Sequence, residues 1–381
     1  MVAARAEVAA KSAFDASHDP YNDSDDFGGR SLTVPSVDGS RLLGLVEAFQ
    51  GKTVAVLGDV VADEYVYGKP QRISREAPVL ILRYLSREVR LGGAANACHN
   101  LHALGARVVP LGVAGDDWAG GAIRELFEAG GVTTEGLVAV GERVTPVKTR
   151  IMAGGYLATR QQMVRVDREP EGGIPPAAEA ALLERLRSWG PRVDALLLSD
   201  YGYGTITGRL LDAARELGAR RGLVVTADSR YDLLRFEGVT AATPNEPEVE
   251  HLLGVSLDPE KAVEQAGWRL LERLGSRLLL VTRGSKGLAL FERGGGATFI
   301  PIYGSDEIAD VTGAGDTVIS TFTLALTGGA APLDAARLAN YAGGVVVMKR
   351  GTAPITRGEL REAIAHDAGA GERGAGQGAE P

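Results

Sequence analysis

The sequence predicts an α/β fold: a central, mostly parallel sheet with helices on both faces, and a small antiparallel β lid set apart from it. Three observations lead there. Short, almost wholly apolar runs alternate with helix-length segments, and a strand that lacks polar alternation is one buried on both faces, as in a parallel sheet. Two segments, 65–90 and 144–166, instead alternate apolar and polar residues, the mark of strands with one face in water. Last, Asp310-Val311-Thr312-Gly313-Ala314-Gly315-Asp316 places a glycine-flanked turn at the start of a helix. In such sheets ligands bind at the carboxyl ends of the strands, where turns of this kind lie.

Taken in order, residues 1–38 are rich in Ala, Ser, Asp and Gly and carry the acidic run Asp23-Ser24-Asp25-Asp26, so a disordered acidic arm is expected. A single domain is expected over 39–366. Its apolar strands are read at 54–57, 108–113, 195–198, 223–226, 241–243, 278–282 and 288–291. Helices are read at 94–104, 121–129, 177–189, 207–217, 247–253, 258–274, 314–327 and 333–350. The lid segments include Val79-Leu-Ile-Leu-Arg-Tyr-Leu and Val147-Lys-Thr-Arg-Ile-Met, plausible as a cover over a site or as an ordinary edge meander. From 367 to 381 the chain is mostly Gly and Ala and is expected to be a disordered tail.

The 381 residues are 45% hydrophobic and 24% charged, ordinary for a globular chain. A net charge of −8 argues against nucleic acid as a partner, which calls for a basic face. Cys98 stands alone, so no intrachain disulfide and no cysteine-rich zinc site can form. No apolar run reaches the ~18 residues of a membrane span, and the N-terminus lacks a signal-peptide core, so a cytoplasmic protein is expected. Gly51-Lys52-Thr53 imitates the end of a P-loop, but Val46 holds the place of its first glycine and a strand follows rather than a helix.

Chemistry concentrates in five places. Backbone N–H groups of Gly313, Ala314 and Gly315 at a helix start lack intrahelical partners and suit anionic oxygens. Asp316 stands beside them where a transferring phosphoryl group needs a base. Asn245 and Glu248, three apart at a strand-to-helix turn, can organise water around Mg²⁺, and equally can form a helix cap with an acidic first turn. Gly92-Gly93-Ala94-Ala95-Asn96 opens a helix with residues small enough for a ligand, or for tight helix–sheet packing. Asp59 and Asp63 follow the first strand, placed to accept from sugar hydroxyls or to be solvated as loop acids. Thr282, Gly284 and Gly287 lie in a strand-end turn with polar tips, suited to a nucleotide phosphate or ribose.

In this order and spacing the five resemble the ribokinase or PfkB-like family of sugar kinases, from about residue 53 to 355. The resemblance implies a ribokinase-like fold, with Asp316 as catalytic base, Gly313 to Gly315 as anion hole, and Asn245 with Glu248 organising Mg²⁺. Thr282, Gly284, Gly287 and Asn340 would line ATP, and a monovalent cation such as K⁺ would sit near Asp310 and Thr312. A homodimer through the lid is implied as well.

A narrower likeness is to the D-glycero-β-D-manno-heptose-7-phosphate kinases. It rests on Gly58-Asp59-Val-Val-Ala-Asp63-Glu-Tyr65, Arg72-Ile-Ser-Arg75-Glu-Ala-Pro, Lys148-Thr-Arg150, Gln162-Met-Val-Arg165-Val-Asp167 and Ser199-Asp200-Tyr201. It implies a phosphorylated sugar bound by Asp59, Asp63, Gly92, Gly93, Asn96, Asp167 and Asp200, and phosphorylated on its C1 hydroxyl. A substrate phosphate needs cations, and Arg72, Arg75, Lys148, Arg150 and Arg165 are candidates, arginine offering paired hydrogen bonds. Three departures from those kinases stand out. Asp228-Ser229-Arg230 replaces Asp-Pro-Lys, Gly202-Tyr203-Gly204 replaces Ala-Lys-Gly, and Arg75 replaces a proline. No nucleotidyltransferase segment follows, which reads as a stand-alone kinase. Alternatives are a kinase of fructose, fructose phosphate or ribose, or a non-catalytic sugar-phosphate-binding protein.

Overall fold

A computed structural model describes residues 38–154, 161–304, 310–349 and 351–375. These lie in the unit that begins at Ser36. In chain order they form α1 (Gly39–Glu47), β1 (Thr53–Gly58), β2 (Val60–Ile73), β3 (Leu80–Gly93), α2 (Ala94–Ala103), β4 (Arg107–Gly115), α3 (Trp118–Ala129) and β5 (Leu137–Val140). Then come β6 (Val147–Ala153), β7 (Gln161–Arg168), α4 (Pro176–Trp189), β8 (Ala195–Asp200), α5 (Gly208–Arg221), β9 (Val224–Ser229), β10 (Ala241–Ala242) and α6 (Glu246–Leu253). The last are α7 (Glu260–Arg273), β11 (Leu278–Thr282), β12 (Leu288–Glu292), β13 (Ala297–Ile300), α8 (Ala314–Thr327), α9 (Pro332–Val346) and α10 (Arg357–Ala375).

The main sheet has nine strands in the order β13-β12-β11-β10-β9-β8-β1-β4-β5. Only β12 and β13 run antiparallel to their neighbours among the described residues. Strand alternation sends side chains to opposite faces. Val54 and Val56 of β1 join one core with Leu101, Ile319, Phe322 and Leu338, while Ala55 and Leu57 join the other with Leu182, Leu210 and Leu270. Two buried faces are why these strands read as unbroken apolar runs. From β1 the chain moves outward to β4 and β5, then returns to place β8 on the other side of β1. Such a switch point opens a crevice at the carboxyl ends of the two central strands.

The lid is a four-stranded sheet in the order β3-β2-β6-β7. Its two hairpins, β2–β3 and β6–β7, are antiparallel as expected, but they meet along a parallel β2–β6 seam. A parallel neighbour requires a crossover, and α2, β4, α3 and β5 supply it. The lid is thus antiparallel within each hairpin, as expected, with one parallel seam joining them.

Other expectations move at the ends. Helix α10 runs to Ala375, past residue 367 where the disordered tail was expected to begin. Alanine is the best helix former and interrupts the costly glycines through this stretch. The arm predicted over 1–38 lies outside the described residues except for Asp38, whose side chain accepts from Arg41 N–H and caps α1. Helices α1 and α10 and the short strands β5 and β13 are absent from the sequence reading.

Candidate active site

Helix α8 begins where the Asp310–Asp316 turn was read. Gly313 takes φ +80°, a left-handed conformation that favours glycine, and a Cβ there would come within 2.6 Å of Asn96 Nδ2. Ala314 N–H donates to Val311 O at 3.2 Å. The three-amide anion hole is therefore corrected: among the described residues, Gly313 and Gly315 N–H remain without protein acceptors.

Asp316, on the first turn of α8, is 4% exposed. Its Oδ2 accepts from Asn96 Nδ2 at 2.7 Å and its Oδ1 from the Tyr201 hydroxyl at 2.9 Å. Burial pushes its pKa up to about 6, against the pull of those two donors and of Lys148. Asp63 reinforces the rise. Cooperation of α2, β8 and α8 across the switch point thus makes a buried carboxylate with a hydrogen-bond donor on each oxygen and a raised pKa.

Asp63, near the start of β2, is buried and its Oδ1 accepts from Arg150 Nη1 of β6 at 2.7 Å. Burial raises its proton affinity and Arg150 opposes that rise. A Cβ on Gly92 would lie 2.8 Å from the Asp63 carboxyl carbon, so glycine at 92 makes room for this acid rather than for a ligand backbone. Gly93, at φ +56°, similarly abuts Asp59 O at 2.6 Å.

Asp59 has a different job from the one expected of it. Its Oδ2 accepts from Tyr201 N–H at 2.8 Å and Tyr203 N–H at 3.1 Å, and its Oδ1 from Thr205 N–H at 3.1 Å. It ties the loop after β8 to β1 and has little capacity left for sugar hydroxyls. Asp200 likewise accepts from Ser229 Oγ at 2.9 Å and Gly202 N–H at 3.1 Å, holding the ends of β8 and β9 together.

The basic residues separate clearly. Lys148 is buried and its ammonium has no hydrogen bond or ion pair among the described residues; it lies 4.6 Å from the Tyr201 ring centroid. Burial lowers its pKa, and Arg230 and Arg165 lower it further. Arg150 is committed to Asp63. Arg165 pairs with Asp167 through two hydrogen bonds of 2.8 Å on the exposed strand β7. Arg72 lies exposed nine residues beyond Asp63 on β2, about 30 Å at the usual rise per strand residue, so the structure does not bring it to this site. Arg75 is exposed beyond the same hairpin arm.

Asn245 and Glu248 form a full capping box: Asn245 Oδ1 accepts from Glu248 N–H at 2.8 Å, and Glu248 Oε2 accepts from Asn245 N–H at 2.9 Å. The cap leaves Glu248 Oε1 available. Asp228, at the end of β9, was missed as a site residue. Burial raises its pKa well above the usual carboxylate range, and Glu248 and Asp316 add to the rise. Its Oδ2 lies 4.0 Å from the position a Gly315 Cβ would take. Two oxygen-donor acids whose pKa values burial raises fit a hard divalent cation that keeps much of its water. The described residues hold no closed group of three or more His, Cys, Asp or Glu that could hold a metal ion.

Thr282 ends β11 beside this cap, its N–H donating to Pro244 O at 2.9 Å. Gly284, at φ +55°, faces open space, whereas a Cβ on Gly287 would reach 2.1 Å from Ile300 O. Asn340 Nδ2 donates to Pro301 O at 2.8 Å, leaving its oxygen available. Asp310 accepts from Thr312 N–H and Gly351 N–H, each at 2.9 Å. Tyr201 and Arg230 are quoted in the heptose-kinase likeness but not assigned to the site; Tyr201 reaches Asp316 only through the pairing of β1 and β8.

The chain is 39% identical over 318 residues to the bifunctional protein HldE of Geobacter sulfurreducens, covering 83% of this chain and 64% of that one. It is 41% identical over 318 residues to the bifunctional protein HldE of a Caulobacter species, covering 83% and 63%. The chain thus spans a little under two thirds of the length of these curated relatives. Among solved structures, Arabidopsis thaliana ribokinase complexed with ribose and ATP aligns with a TM-score of 0.64 at 20% identity, over 83% of this chain and 99% of that one. Phosphofructokinase-2 from Escherichia coli in complex with potassium gives 0.69 at 16% identity, over 84% and 100%. Those two share the fold. The pfkB family carbohydrate kinase pattern matches residues 52–357, and the chain belongs to that family.

Proposed function

We propose that this chain is an ATP-dependent kinase of a phosphorylated sugar, D-glycero-β-D-manno-heptose 7-phosphate, transferring phosphate to its C1 hydroxyl to give the 1,7-bisphosphate. The observation that carries the phosphorylated substrate is Lys148: a buried ammonium with no ion pair among the described residues, disfavoured by burial, Arg230 and Arg165 and only partly offset by Asp63 and Asp316. An unpaired buried cation is costly, and a phosphate supplies the missing charge.

In the reaction, Asp316 takes the hydroxyl proton as that oxygen bonds to phosphorus. Gly313 and Gly315 N–H groups donate to oxygens of the transferring group, and Asp63 accepts from a sugar hydroxyl. Positioning and electrostatics of this kind supply most of the catalysis in phosphoryl transfer. Mg²⁺, held by Asn245, Glu248 and Asp228, would supply charge neutralisation on the ATP phosphates. Thr282, Gly284 and Asn340 belong to the nucleotide side of the cleft. A K⁺ ion beside Asp310 and Thr312 belongs to the same reading, as does closure of the lid to exclude water. The lid leaves Tyr84, Leu85, Val164 and Val166 exposed, which favours a second copy of this chain as its cover.

The test offers ATP and Mg²⁺ with heptose 7-phosphate, fructose 6-phosphate, fructose or ribose, follows ADP release, and identifies the product by phosphorus NMR. Preference for heptose 7-phosphate with a new anomeric phosphate is expected. Preference for fructose 6-phosphate would shift the reading to another phosphosugar, which the changes at Arg230 and Tyr203 favour as the second choice. Binding without ADP release would leave a sugar-phosphate-binding protein.

A further inference from the structure

We infer that Tyr201 is a positioning residue for the base, its phenol fixing the Asp316 carboxylate and its ring seating the lid cation Lys148. The inference rests on Asp316 being the base of the proposed reaction. The Tyr201 hydroxyl and the Asn96 amide hold one oxygen each of that carboxylate, at 2.9 and 2.7 Å. The carboxylate plane is thereby fixed from two sides, while each oxygen keeps a lone pair for the incoming hydroxyl.

Tyr201 is itself held firmly. Its N–H donates to Asp59, which also binds the N–H groups of Tyr203 and Thr205. Gly93 lies so close that a Cβ there would be 3.4 Å from the tyrosine ring. The phenol's own pKa is pushed well above its ordinary value by burial and by Asp316, so it acts only as a hydrogen-bonded donor to the base. Meanwhile the Lys148 ammonium sits 4.6 Å from the ring centroid. One side chain therefore touches the base with its hydroxyl and the lid's cation with its ring.

The charged and polar groups around Asp316 are Asp63 from β2, Asn96 from α2, Lys148 from β6, Asp228 from β9 and Tyr201 itself. Asp63 and Asp228 favour its protonation; Asn96, Tyr201 and Lys148 favour its charge. Loss of the phenol O–H removes one of the two direct donors and nothing else from this set.

The test compares Tyr201→Phe, which keeps the ring, with Tyr201→Leu, which does not. Protein labelled with carbon-13 at the aspartate carboxyl is titrated by NMR without substrate, and the Asp316 signal is identified by its loss in Asp316→Asn. The Phe variant should titrate about one pH unit or more above the wild type, the size of a lost hydrogen bond to a charged group. With ATP and heptose 7-phosphate its kcat should fall most at acid pH and recover toward the wild type by pH 8.5. Only the Leu variant should also raise KM for the sugar phosphate, about 3- to 10-fold for a lost cation–π contact. An unmoved titration in the Phe variant overturns the inference, as does a loss of turnover that is equal at every pH. Near-normal turnover in Asp316→Asn brings down the base itself, a separate failure because the titration needs no substrate.

Discussion

Replacing Asp316 with Asn should make this protein more stable and nearly inactive. The carboxylate is buried, and its pKa rises from 3.8 to about 6 on folding. Between those values the folded chain holds a proton that the unfolded chain releases. Stability from this group is therefore fully present below about pH 4, is lost as pH rises through 6, and stays lost above. A shift of about two units corresponds to about 3 kcal/mol at neutral pH. Asparagine carries no such charge, and its amide suits the same partners: its oxygen accepts from Asn96, while its NH₂ donates to a Tyr201 hydroxyl that rotates to accept. Urea denaturation at pH 7 should show Asp316→Asn up to about 3 kcal/mol more stable than the wild type, with the difference vanishing near pH 4. Turnover by ADP release should fall at least about a hundredfold, within the range of general-base catalysis. Equal stability at pH 7 would refute the claim that burial strains this acid. Turnover close to wild type would refute its role as base.

Lys148→Met should raise KM for heptose 7-phosphate by about tenfold or more, the value of a charged hydrogen bond, while KM for ATP stays within about twofold in steady-state assays. Gly92→Ala puts a methyl 2.8 Å from the Asp63 carboxyl carbon and should displace that acid, weakening sugar-phosphate binding by calorimetry with ATP binding kept. Glu248→Gln can keep its capping bond to Asn245 N–H but loses its charge, so the Mg²⁺ concentration for half-maximal activity should rise several-fold while the melting temperature holds or increases.

The parts of the site carried on one continuous turn were legible in the sequence. Glycines at 313 and 315 with Asp316 after them announce a helix N-terminus, and α8 begins and ends where periodicity put it. What could not be read is whatever depends on which strands become neighbours. Asp59 and Asp63 share one motif, yet Asp59 turns toward the backbone after β8, whereas Asp63 enters the pocket beneath Arg150. Tyr201 and Asp316 are 115 residues apart in sequence and meet at 2.9 Å. Nor does composition reveal that Arg72 extends far out along the lid while Arg230, in the bend after β9, acts on Lys148. The helix α10 was obscured by glycines that ordinarily end helices.

Partnership separates the acids that build this site from those that use it. Asp59 meets three backbone N–H groups, all within 3.1 Å, and its work is finished when the chain folds. Asp316, Asp228 and Glu248 carry pKa values raised by burial, and Lys148 one lowered by it. Groups of both signs are thus held against their preference within one cleft. Each suits a different part of the proposed reactants: a hydroxyl proton for Asp316, a divalent cation for Asp228 and Glu248, a remote phosphate for Lys148. Ligands that relieve this strain bind the folded chain alone, and mass action turns their affinity into stability. Mg²⁺ with ATP, and the phosphosugar, should therefore raise the melting temperature by separate routes, the first weakened by Glu248→Gln and the second by Lys148→Met. A sugar lacking the phosphate should raise the melting temperature less, and that smaller rise should be insensitive to Lys148→Met, because such a sugar brings no anion to add to the partial countercharge of Asp63 and Asp316.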